Sequence, residues 1–304
     1  NPKVDEAVLK KLQYPEAKLL VDYFCSIKLK GQLLDWLKRA NNSRDNRIHG
    51  GINPQGTITG RMTASQPNLQ QVSGDPRARE LFIPREGWVQ VGIDASGLEA
   101  RMLANRMASY DGGVYGRYVI EEDIHALHQK VAGLATRQQA KTFFYGFIYG
   151  AGDAKVGKII NKSAMAGRKL KQRFLSKLPA LKKVIDNCKL QVSKDGAITL
   201  LDGRKVPCRS IHSALNVQLQ GDGAVIMKLA QCILHRKIKA RQLNEEAKFV
   251  ATVHDEWQLE CKPLIADVIG QLGVDSIKEA GVRLDCHVPL DGEYRTGKNW
   301  SECH

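Results

Sequence analysis

The spacing of hydrophobic positions predicts a chain with long helical stretches. Apolar residues recur at helical spacing from about residue 5 to residue 38, with lysines between them. The pattern is mostly helical again from about 125 to 195, and a further helix is predicted over about 213–241. Breaks are expected at the polar segment NNSRDNR (41–47), at YGAGDA (149–154) and at Pro179.

Alternation of apolar residues with others predicts strands elsewhere. Residues 89–93 alternate, and a helix with Ser96 as its N-cap is expected to follow them. Residues 48–76 are rich in Gly, Pro, Asn and Thr, which indicates short strands joined by loops. The Asp-Gly pair in ITLLDGRKVPC (198–208) is typical of a tight hairpin. Alternation also flanks residues 254–256, so the chain combines helices with β structure.

Composition narrows the class of partner. Lys and Arg number 46 against 32 Asp and Glu, which gives a net charge of +14 over 304 residues. Such an excess favours an anionic partner, most often a nucleic acid. Aromatic residues make up only 6%, which argues against a general platform for stacking single-stranded bases. No apolar run is long enough for a membrane span, so no membrane is expected as a partner.

Cysteine usage and the N-terminal segment bear on the compartment. The seven cysteines are scattered and contain no CxxC pair, which favours reduced thiols in a cytoplasmic protein over disulfides or a zinc site. The first residues, NPKVDEAVLKKL, lack the apolar core of a signal peptide. They also lack an initiator Met, which suggests that the chain was cut from a longer one.

Residues 254–256 place a histidine and two acids side by side between two predicted strands. Adjacent carboxylates repel each other and lose hydration on burial unless a cation is near. One interpretation is therefore a solvated hairpin tip. The other is a metal site completed by Asp94, which ends a predicted strand and could converge with Asp255 at one edge of a sheet. Converging carboxylates that hold two Mg²⁺ ions are typical of phosphoryl transfer, although each could also be an ordinary strand-end acid.

A second candidate for chemistry is a row of four side chains in RQQAKTFFYGFIYG. Arg137, Lys141, Tyr145 and Tyr149 recur every fourth residue along one helix face. Arg and Lys at this spacing suit the phosphates of a nucleotide, and the phenols could stack on its sugar and base. The alternative is a core stripe, which is the expectation for the phenylalanines between them.

Several segments resemble, in order, the motifs of family A DNA polymerases, the group of bacterial DNA polymerase I. The resemblance is strongest to the replicative polymerases of podovirus-type bacteriophages. It covers residues 47–304 well and residues 1–46 loosely. One such motif is a weak signal, whereas several in the family's order with the right gaps are specific. The matching segments are TGRMTASQPNLQQV, GIDASGLEARMLA, RQQAKTFFYGFIYGAG, LDGRKV, ALNVQLQG, VHDE and the ending GKNWSECH.

The resemblance implies an α+β fold and template-directed DNA synthesis. Deoxynucleoside triphosphates (dNTPs) would be added to a primer 3′-hydroxyl with release of pyrophosphate, so the expected partners are primer–template DNA and dNTPs. The fold would be a polymerase palm with a mostly antiparallel sheet, interrupted by helical fingers. The implied division is thumb-base helices at 1–46, palm at 47–104, fingers at 105–198 and palm again at 199–304.

The family's metal site maps onto the acidic residues described above. The resemblance assigns two Mg²⁺ ions to Asp94 and Asp255, with the Ala95 carbonyl as a further ligand and Mn²⁺ as a possible substitute. One ion would lower the pKa of the primer hydroxyl, and the other would carry the triphosphate and the departing pyrophosphate. Glu256 is expected to matter less than either aspartate.

The resemblance also assigns contacts to the incoming nucleotide. Arg137 and Lys141 would clamp the triphosphate, and Lys141 could donate a proton to the leaving group. Tyr145 would determine whether dideoxynucleotides are accepted. His125 would also contact the triphosphate. Glu99 would fill the space that a ribose 2′-hydroxyl needs, and Tyr149 would stack by the template until the fingers close.

Contacts with DNA are implied on two stretches of the chain. Asn68 and Gln70 lie in the segment expected to run along the primer–template. Readout of the nascent base pair in the minor groove would be nearly independent of sequence. The residues expected to line that groove are Arg61, Asn216, Gln220 and His254.

Three parts of the family's longer enzymes are expected upstream of residue 1. They are the long helical pair of the thumb, an exonuclease domain, and the insertion through which some phage enzymes recruit a processivity factor. Two alternative functions stay open: a single-subunit RNA polymerase, against which Glu99 argues, and a non-catalytic nucleic-acid-binding fragment. The expected location is the cytoplasm, that of the host cell if the protein is viral.

Overall fold

A computed structural model describes residues 4–304 of the chain. The helices in chain order are α1 (Glu6–Leu9), α2 (Pro15–Asn42), α3 (Pro76–Arg79), α4 (Leu98–Asp111), α5 (Val114–Glu121), α6 (Ile124–Ala132), α7 (Arg137–Ile148), α8 (Asp153–Ile159), α9 (Ala164–Lys177), α10 (Pro179–Asp195), α11 (Ala214–Ala240) and α12 (Ala266–Arg283). The strands are β1 (Gly51–Asn53), β2 (Thr63–Ser65), β3 (Val89–Ala95), β4 (Ala197–Thr199), β5 (Lys205–Pro207), β6 (Ala247–Val253), β7 (Glu256–Cys261) and β8 (Gly292–Gly297).

Four antiparallel strands form the central sheet, in the order β6–β7–β3–β8. Every residue of β7 is buried, as expected for an inner strand whose two faces are both covered. On β3, Val91 and Ile93 are fully buried. The predicted strands on both sides of residues 254–256 are therefore confirmed, and they pair with the strand predicted at 89–93.

Helices α11 and α12 pack on each other, and α12 covers one face of the sheet. The closeness of this packing depends on glycine. A β-carbon on Gly273 of α12 would lie 2.4 Å from Cδ1 of Ile93, and one on Gly221 of α11 would lie 2.4 Å from Cδ2 of Leu200. Because the missing side chains let neighbours approach, α11 runs unbroken through the glycines that weaken its helix propensity. Helix α12 was not predicted from the sequence, since this region was interpreted only as a mixed tail.

The helices α5 to α10 form an insertion between the strand β3 and the later strands. Aromatic side chains fill its core, where the Phe143 and Phe174 rings pack edge to face with centroids 5.1 Å apart. The predicted breaks at 149–154 and Pro179 are confirmed: α7 ends at Ile148, and Pro179 occupies the first turn of α10. Proline is tolerated there because its missing N–H has no partner in the first turn.

Two local predictions were wrong in detail. Ser96 does not cap α4, because Gly97 stands at that position with a left-handed φ of 58° and no side-chain cap forms. The hairpin of β4 and β5 is confirmed, but residues 200–204 make it wider than a two-residue turn. Gly203 within it has a φ of +82°, which explains the Asp-Gly signal.

Three ion pairs, made by two buried carboxylates, connect distant parts of the chain. Arg106 of α4 forms a two-pronged pair with Asp222 of α11, with both N–O distances at 2.7 Å. Glu260 of β7 accepts from Arg47 at 2.9 Å and from Nε of Arg85 at 2.8 Å. Sequence spacing gave no signal for any of these ion pairs, since the partners lie more than a hundred residues apart.

The N-terminal helices lie against this body through a small aromatic cluster. Trp36 of α2 packs edge to face on Phe82 with ring centroids 5.0 Å apart, and Phe82 packs likewise on Trp300 at 5.6 Å. All seven cysteines are free thiols. No helix in the described range is both long and apolar enough to cross a membrane.

Candidate active site

Asp94 and Asp255 come together at the end of β3. Asp94 is the next-to-last residue of this strand, and Asp255 belongs to the two-residue turn between β6 and β7. The strand β3 pairs with β7 so that Asp94 lies opposite Glu256, and the Ala95 N–H donates to the Asp255 carbonyl at 3.0 Å. His254 adopts a left-handed φ of 56°, which the tight turn requires. The predicted convergence of the two segments at one sheet edge is thus present in the structure.

Both carboxyl groups have raised pKa values. Burial, followed by the charges of Asp255 and Glu256, raises the pKa of Asp94 to about 7. Burial, followed by the charge of Glu99, raises the pKa of Asp255 to about 6. The negative charges are therefore poorly compensated by the protein itself, which is the electrostatic condition that a bound cation relieves.

The donor set fits a hard divalent cation. Carboxylate and carbonyl oxygens are the ligands that Mg²⁺ prefers, and it usually binds through one or two carboxylates together with water and substrate phosphates. Within residues 4–304, no group of three or more His, Cys, Asp or Glu side chains is arranged to hold a metal ion. Two aspartates would therefore need substrate oxygens to complete the coordination.

Glu256 is already engaged by the protein. Its Oε1 accepts from the indole Nε1 of Trp300 at 2.8 Å and also from Gln258, while its Oε2 lies 2.9 Å from Nδ1 of His304. Both carboxylate oxygens of Glu256 are therefore occupied by protein contacts, and its smaller role stays a prediction. His304 and Trp300 were seen in the sequence only as part of a matching tail.

Glu99 lies in the first turn of α4 and joins three elements. Its Oε1 accepts from Nη2 of Arg61 at 3.1 Å and from the Tyr149 hydroxyl at 3.0 Å. Burial, followed by the charge of Glu99, raises the pKa of the Tyr149 phenol. The end of α7 is thereby tied to the start of α4 and to the TGR segment.

The predicted row along α7 faces the carboxylates only in part. Tyr145 is close enough to Glu99, Asp255 and Asp94 that their charges, after burial, raise the pKa of its phenol. Lys141 is exposed, and none of the described residues forms an ion pair or hydrogen bond with its side chain. Arg137 instead binds Asp123, the N-cap of α6, and holds the pKa of that carboxyl at about 2.

His125 lies beside this row. Its ring centroid is 5.9 Å from that of Tyr145, it is nearly buried, and its Nδ1 has no hydrogen-bond partner within residues 4–304. Burial, followed by the charge of Arg137, lowers the pKa of His125. The ring is therefore neutral at physiological pH, and its Nδ1 is buried without a partner among the described residues.

The residues predicted to contact DNA divide into two groups. Arg61, Gln70 and His254 line one cavity together with Asp255. Gln70 also links β6 to Met62, the residue after the TGR segment (Thr59–Arg61), because its amide donates to the Thr252 carbonyl at 3.1 Å and to the Met62 carbonyl at 3.2 Å. Asn68 accepts from the Gln70 N–H at 3.1 Å and so caps a short 3₁₀ turn.

Asn216 and Gln220 lie apart from that cavity, on the first turns of α11. The Oδ1 of Asn216 is buried without a partner in the part of the chain that the structure describes. Sequence reasoning missed Lys228 and Gln231, which α11 contributes to the cavity of Arg61 and Asp255. Helical spacing from Gln220 could have found them, since residues eight and eleven positions on return to about the same helix face.

Comparison with known proteins decides the family. The family model described as DNA polymerase family A matches residues 1–302. The chain belongs to this family. The DNA-directed DNA polymerases of Enterobacteria phage T3 and Escherichia phage T7 are 36% and 37% identical to it over alignments of 345 positions. Each alignment covers 100% of this chain and 49% of the relative, so the chain spans about half the length of these curated relatives.

A solved structure shows the fold. The POL domain of Pol1 from M. smegmatis, in complex with DNA primer-template and dNTP, has a TM-score of 0.88 at 23% identity. The similarity covers 99% of this family A chain and 57% of that one. The α+β polymerase fold predicted from the sequence is confirmed. The domain boundaries and the roles of single residues stay predictions.

Proposed function

We propose that this family A chain performs template-directed DNA synthesis, adding dNTPs to a primer 3′-hydroxyl with release of pyrophosphate. The observation that carries the proposal is the meeting of Asp94 and Asp255 at one sheet edge. Tyr145 of α7 is close enough to both carboxylates that, after burial, their charges raise the pKa of its phenol. Family membership supports the reaction class, and divalent-metal dependence is general in the family.

The raised pKa values and the oxygen donors fit two Mg²⁺ ions at Asp94, Asp255 and the Ala95 carbonyl. When bound, the ions would activate the primer hydroxyl and stabilise the charge of the triphosphate and pyrophosphate. The work of this chain is to place oxygen ligands at a sheet edge that helices hold rigid. Glu256, held by Trp300 and His304, supports the turn that carries Asp255.

The side chains of α7 are the proposed contacts of the nucleotide. Lys141 is free to bind phosphate oxygens and would give a proton to the leaving group. Arg137 would have to exchange its pair with Asp123 for the triphosphate, a rearrangement that is accessible because the pair is largely exposed. The His125 imidazole would contact the triphosphate, and Glu99 would occupy the space beside C2′ of the sugar.

We further propose the division of the chain already drawn from the sequence. The sheet takes β3 from residues 47–104 and β6 to β8 from residues 199–304, which supports a palm in two parts. The helices α5 to α10 between them support fingers at 105–198, and α1 and α2 support thumb-base helices at 1–46. Primer–template DNA and dNTPs are the proposed partners. Recruitment of a processivity factor through an upstream region stays a prediction.

A primer-extension assay tests the function. The purified chain, at high concentration, is given a labelled primer–template with four dNTPs or four rNTPs, in Mg²⁺, in Mn²⁺ or in excess EDTA. We expect extension with dNTPs and a divalent ion, and none in EDTA. Preference for rNTPs would instead indicate an RNA polymerase, and binding of the duplex without any extension would leave only a non-catalytic fragment.

A further inference from the structure

Cationic nitrogens surround Gly60, the middle residue of the TGR segment. The three atoms nearest to a β-carbon placed on Gly60 would be Nη1 of Arg204 at 3.7 Å, Nη2 of Arg204 at 3.8 Å and Nζ of Lys228 at 4.0 Å. These two cations come from separate parts of the chain, the β4–β5 hairpin and α11. The fold thus gathers two positive charges over a backbone position that carries no side chain.

The charges are only partly compensated. Nε of Arg204 pairs with Asp202 at 2.5 Å, which leaves the two terminal nitrogens of the guanidinium directed at Gly60. Lys228 forms no ion pair or hydrogen bond with any residue in the described range 4–304. Burial, followed by the charge of Arg204, lowers the pKa of Lys228. Two like charges held this close are unfavourable unless an anion lies between them.

The geometry selects the kind of anion. An arginine fork and a lysine point charge that converge from two sides suit an anion with several oxygens, such as a phosphodiester. Gly60 has a left-handed φ of +83° and leaves open the space that a side chain would fill. An oxygen could therefore approach closely, as at other glycine-containing phosphate sites.

The position of the cluster points to the source of the phosphate. Lys228 lines the same cavity as Arg61, His254 and Asp255, so the cluster borders the candidate active site. Gln231, one turn farther along α11, lines the cavity too, and its Oε1 has no partner among the described residues. An unmet polar group beside cations that are only partly paired suits a surface that binds a polar, anionic polymer.

We propose that Gly60, Arg204 and Lys228 form a binding site for one backbone phosphate of the primer–template duplex. This inference rests on the proposed function and deepens it, because it adds residues that hold the duplex in register beside the carboxylate pair. A phosphate contact positions a duplex without reading its sequence. Its loss should therefore weaken binding to the same degree for unrelated sequences.

Duplex binding measured by fluorescence anisotropy gives the first test. It uses no nucleotide and excess EDTA, at several salt concentrations and with two unrelated duplex sequences. Lys228→Gln and Arg204→Gln should each weaken binding about tenfold at low salt on both sequences, and should reduce the slope of log affinity against log salt by about 0.9. The matched control is Lys278→Gln on α12, where the lysine is paired with Asp291 at 3.1 Å.

A scan with neutral linkages gives the second test. Duplexes that each carry one methylphosphonate in place of a phosphate are bound to the wild-type protein and to the Arg204→Gln/Lys228→Gln variant. The wild type should lose affinity at several linkages, and the variant should be insensitive at one of these alone. An identical profile for both proteins, or an unchanged salt slope in the single variants, would overturn the site. Thermal unfolding of each variant separates loss of contact from loss of fold.

These outcomes separate the site from the function on which it rests. The wild-type protein could bind duplex and show the one-linkage effect but extend no primer. This result would contradict the proposed synthesis and support the phosphate site. A protein that extends primers with identical scan profiles retains the synthesis and loses the site. If the wild type binds no duplex, both fall.

Discussion

At Asp94, burial and neighbouring acids act in the same direction on one carboxyl group. The sequence offered this pair as one of two interpretations, and the resemblance to family A polymerases favoured it over two unrelated strand-end acids. It could not show that Glu256 is taken up by Trp300 and His304, since that requires the path of the C-terminal residues across the sheet. Nor could it show that Arg137 forms an ion pair with Asp123.

The first prediction concerns these two aspartates. Asp94→Asn or Asp255→Asn should lower primer extension by roughly a thousandfold or more, because each removes a charge that the metal ions require. The fold should persist, since neutralising either group relieves repulsion. Rates are measured by primer extension and folding by circular dichroism. Asp275→Asn on α12 is the matched control, and near wild-type extension by either active-site variant would contradict the assignment.

Sugar selection is predicted to depend on Glu99. Glu99→Ala should open space beside C2′ and raise the use of rNTPs relative to dNTPs, by roughly 10- to 100-fold if about 1.4 to 2.8 kcal/mol of discrimination is lost. The ratio of kcat/KM for the two nucleotide types measures the effect. If that ratio stays constant while dNTP turnover is preserved, Glu99 is not the gate.

A third prediction concerns Tyr145 and chain terminators. The phenol oxygen can replace the missing 3′-hydroxyl of a dideoxynucleotide and donate a hydrogen bond toward the triphosphate. Such a bond to a charged group is worth about 1.5–3 kcal/mol. Tyr145→Phe should therefore lower the dideoxy-to-deoxy incorporation ratio by roughly 10- to 150-fold. Loss of stability or of overall rate at a constant ratio would mean that Tyr145 only packs in the fingers.

At the scale of elements, the packing of α11 on α12 and of α12 on the sheet determines the position of the C-terminal end of β3, which carries Asp94. Gly273 lets α12 approach Ile93, the residue immediately before Asp94. The hydrophobic pattern alone could not predict this layer, because glycines 270, 273 and 281 fall among its apolar positions and weaken a helical signal. The structure shows that these glycines allow Tyr294, Ile93 and Leu290 to pack closely against α12.

Gly273→Ala should destabilise the protein by about 1–3 kcal/mol through overpacking against Ile93. Ile93→Val removes the Cδ1 atom of the closest contact, so the double variant should be more stable than Gly273→Ala alone. Unfolding in urea measures both. Gly31→Ala in α2, where a β-carbon meets nothing within 4 Å, is the control and should stabilise the chain by up to about 1 kcal/mol. Equal effects at both glycines would contradict the packing argument.

At the scale of the whole molecule, Arg106 and Asp222 join the helix that leads into the proposed fingers to the helix that leads out. Asp222 is fully buried and also accepts from the Leu201 N–H at 3.0 Å. This hydrogen bond connects the β4–β5 hairpin to the same ion pair. The order of the elements and the polymerase fold could be predicted from motifs in sequence order. This ion pair could not, because Arg106 and Asp222 lie 116 residues apart and no motif or spacing in the sequence links them.

Asp222→Ala should lower the free energy of unfolding by up to about 3–5 kcal/mol, because it leaves a largely buried guanidinium without its carboxylate partner. Replacement of both residues, Arg106→Met with Asp222→Leu, should cost less than the single change, since no unpaired charge is left. The control, Asp186→Ala, breaks an exposed pair on α10 and should change stability by less than about 1 kcal/mol. A single variant as stable as this control would show that the ion pair contributes little.

The contact of Tyr149 with Glu99 carries a thermodynamic consequence for catalysis. The Glu99 carboxylate, which is proposed to sense the sugar, also accepts a hydrogen bond from Tyr149 at the C-terminal end of α7. Linkage between two such events is reciprocal: if rotation of α7 frees Glu99 for the nucleotide, then the nucleotide must favour that rotation by the same factor. Recognition of a deoxyribose and closure of the fingers would then be one equilibrium, so an incorrect sugar would be rejected partly as a failure to close.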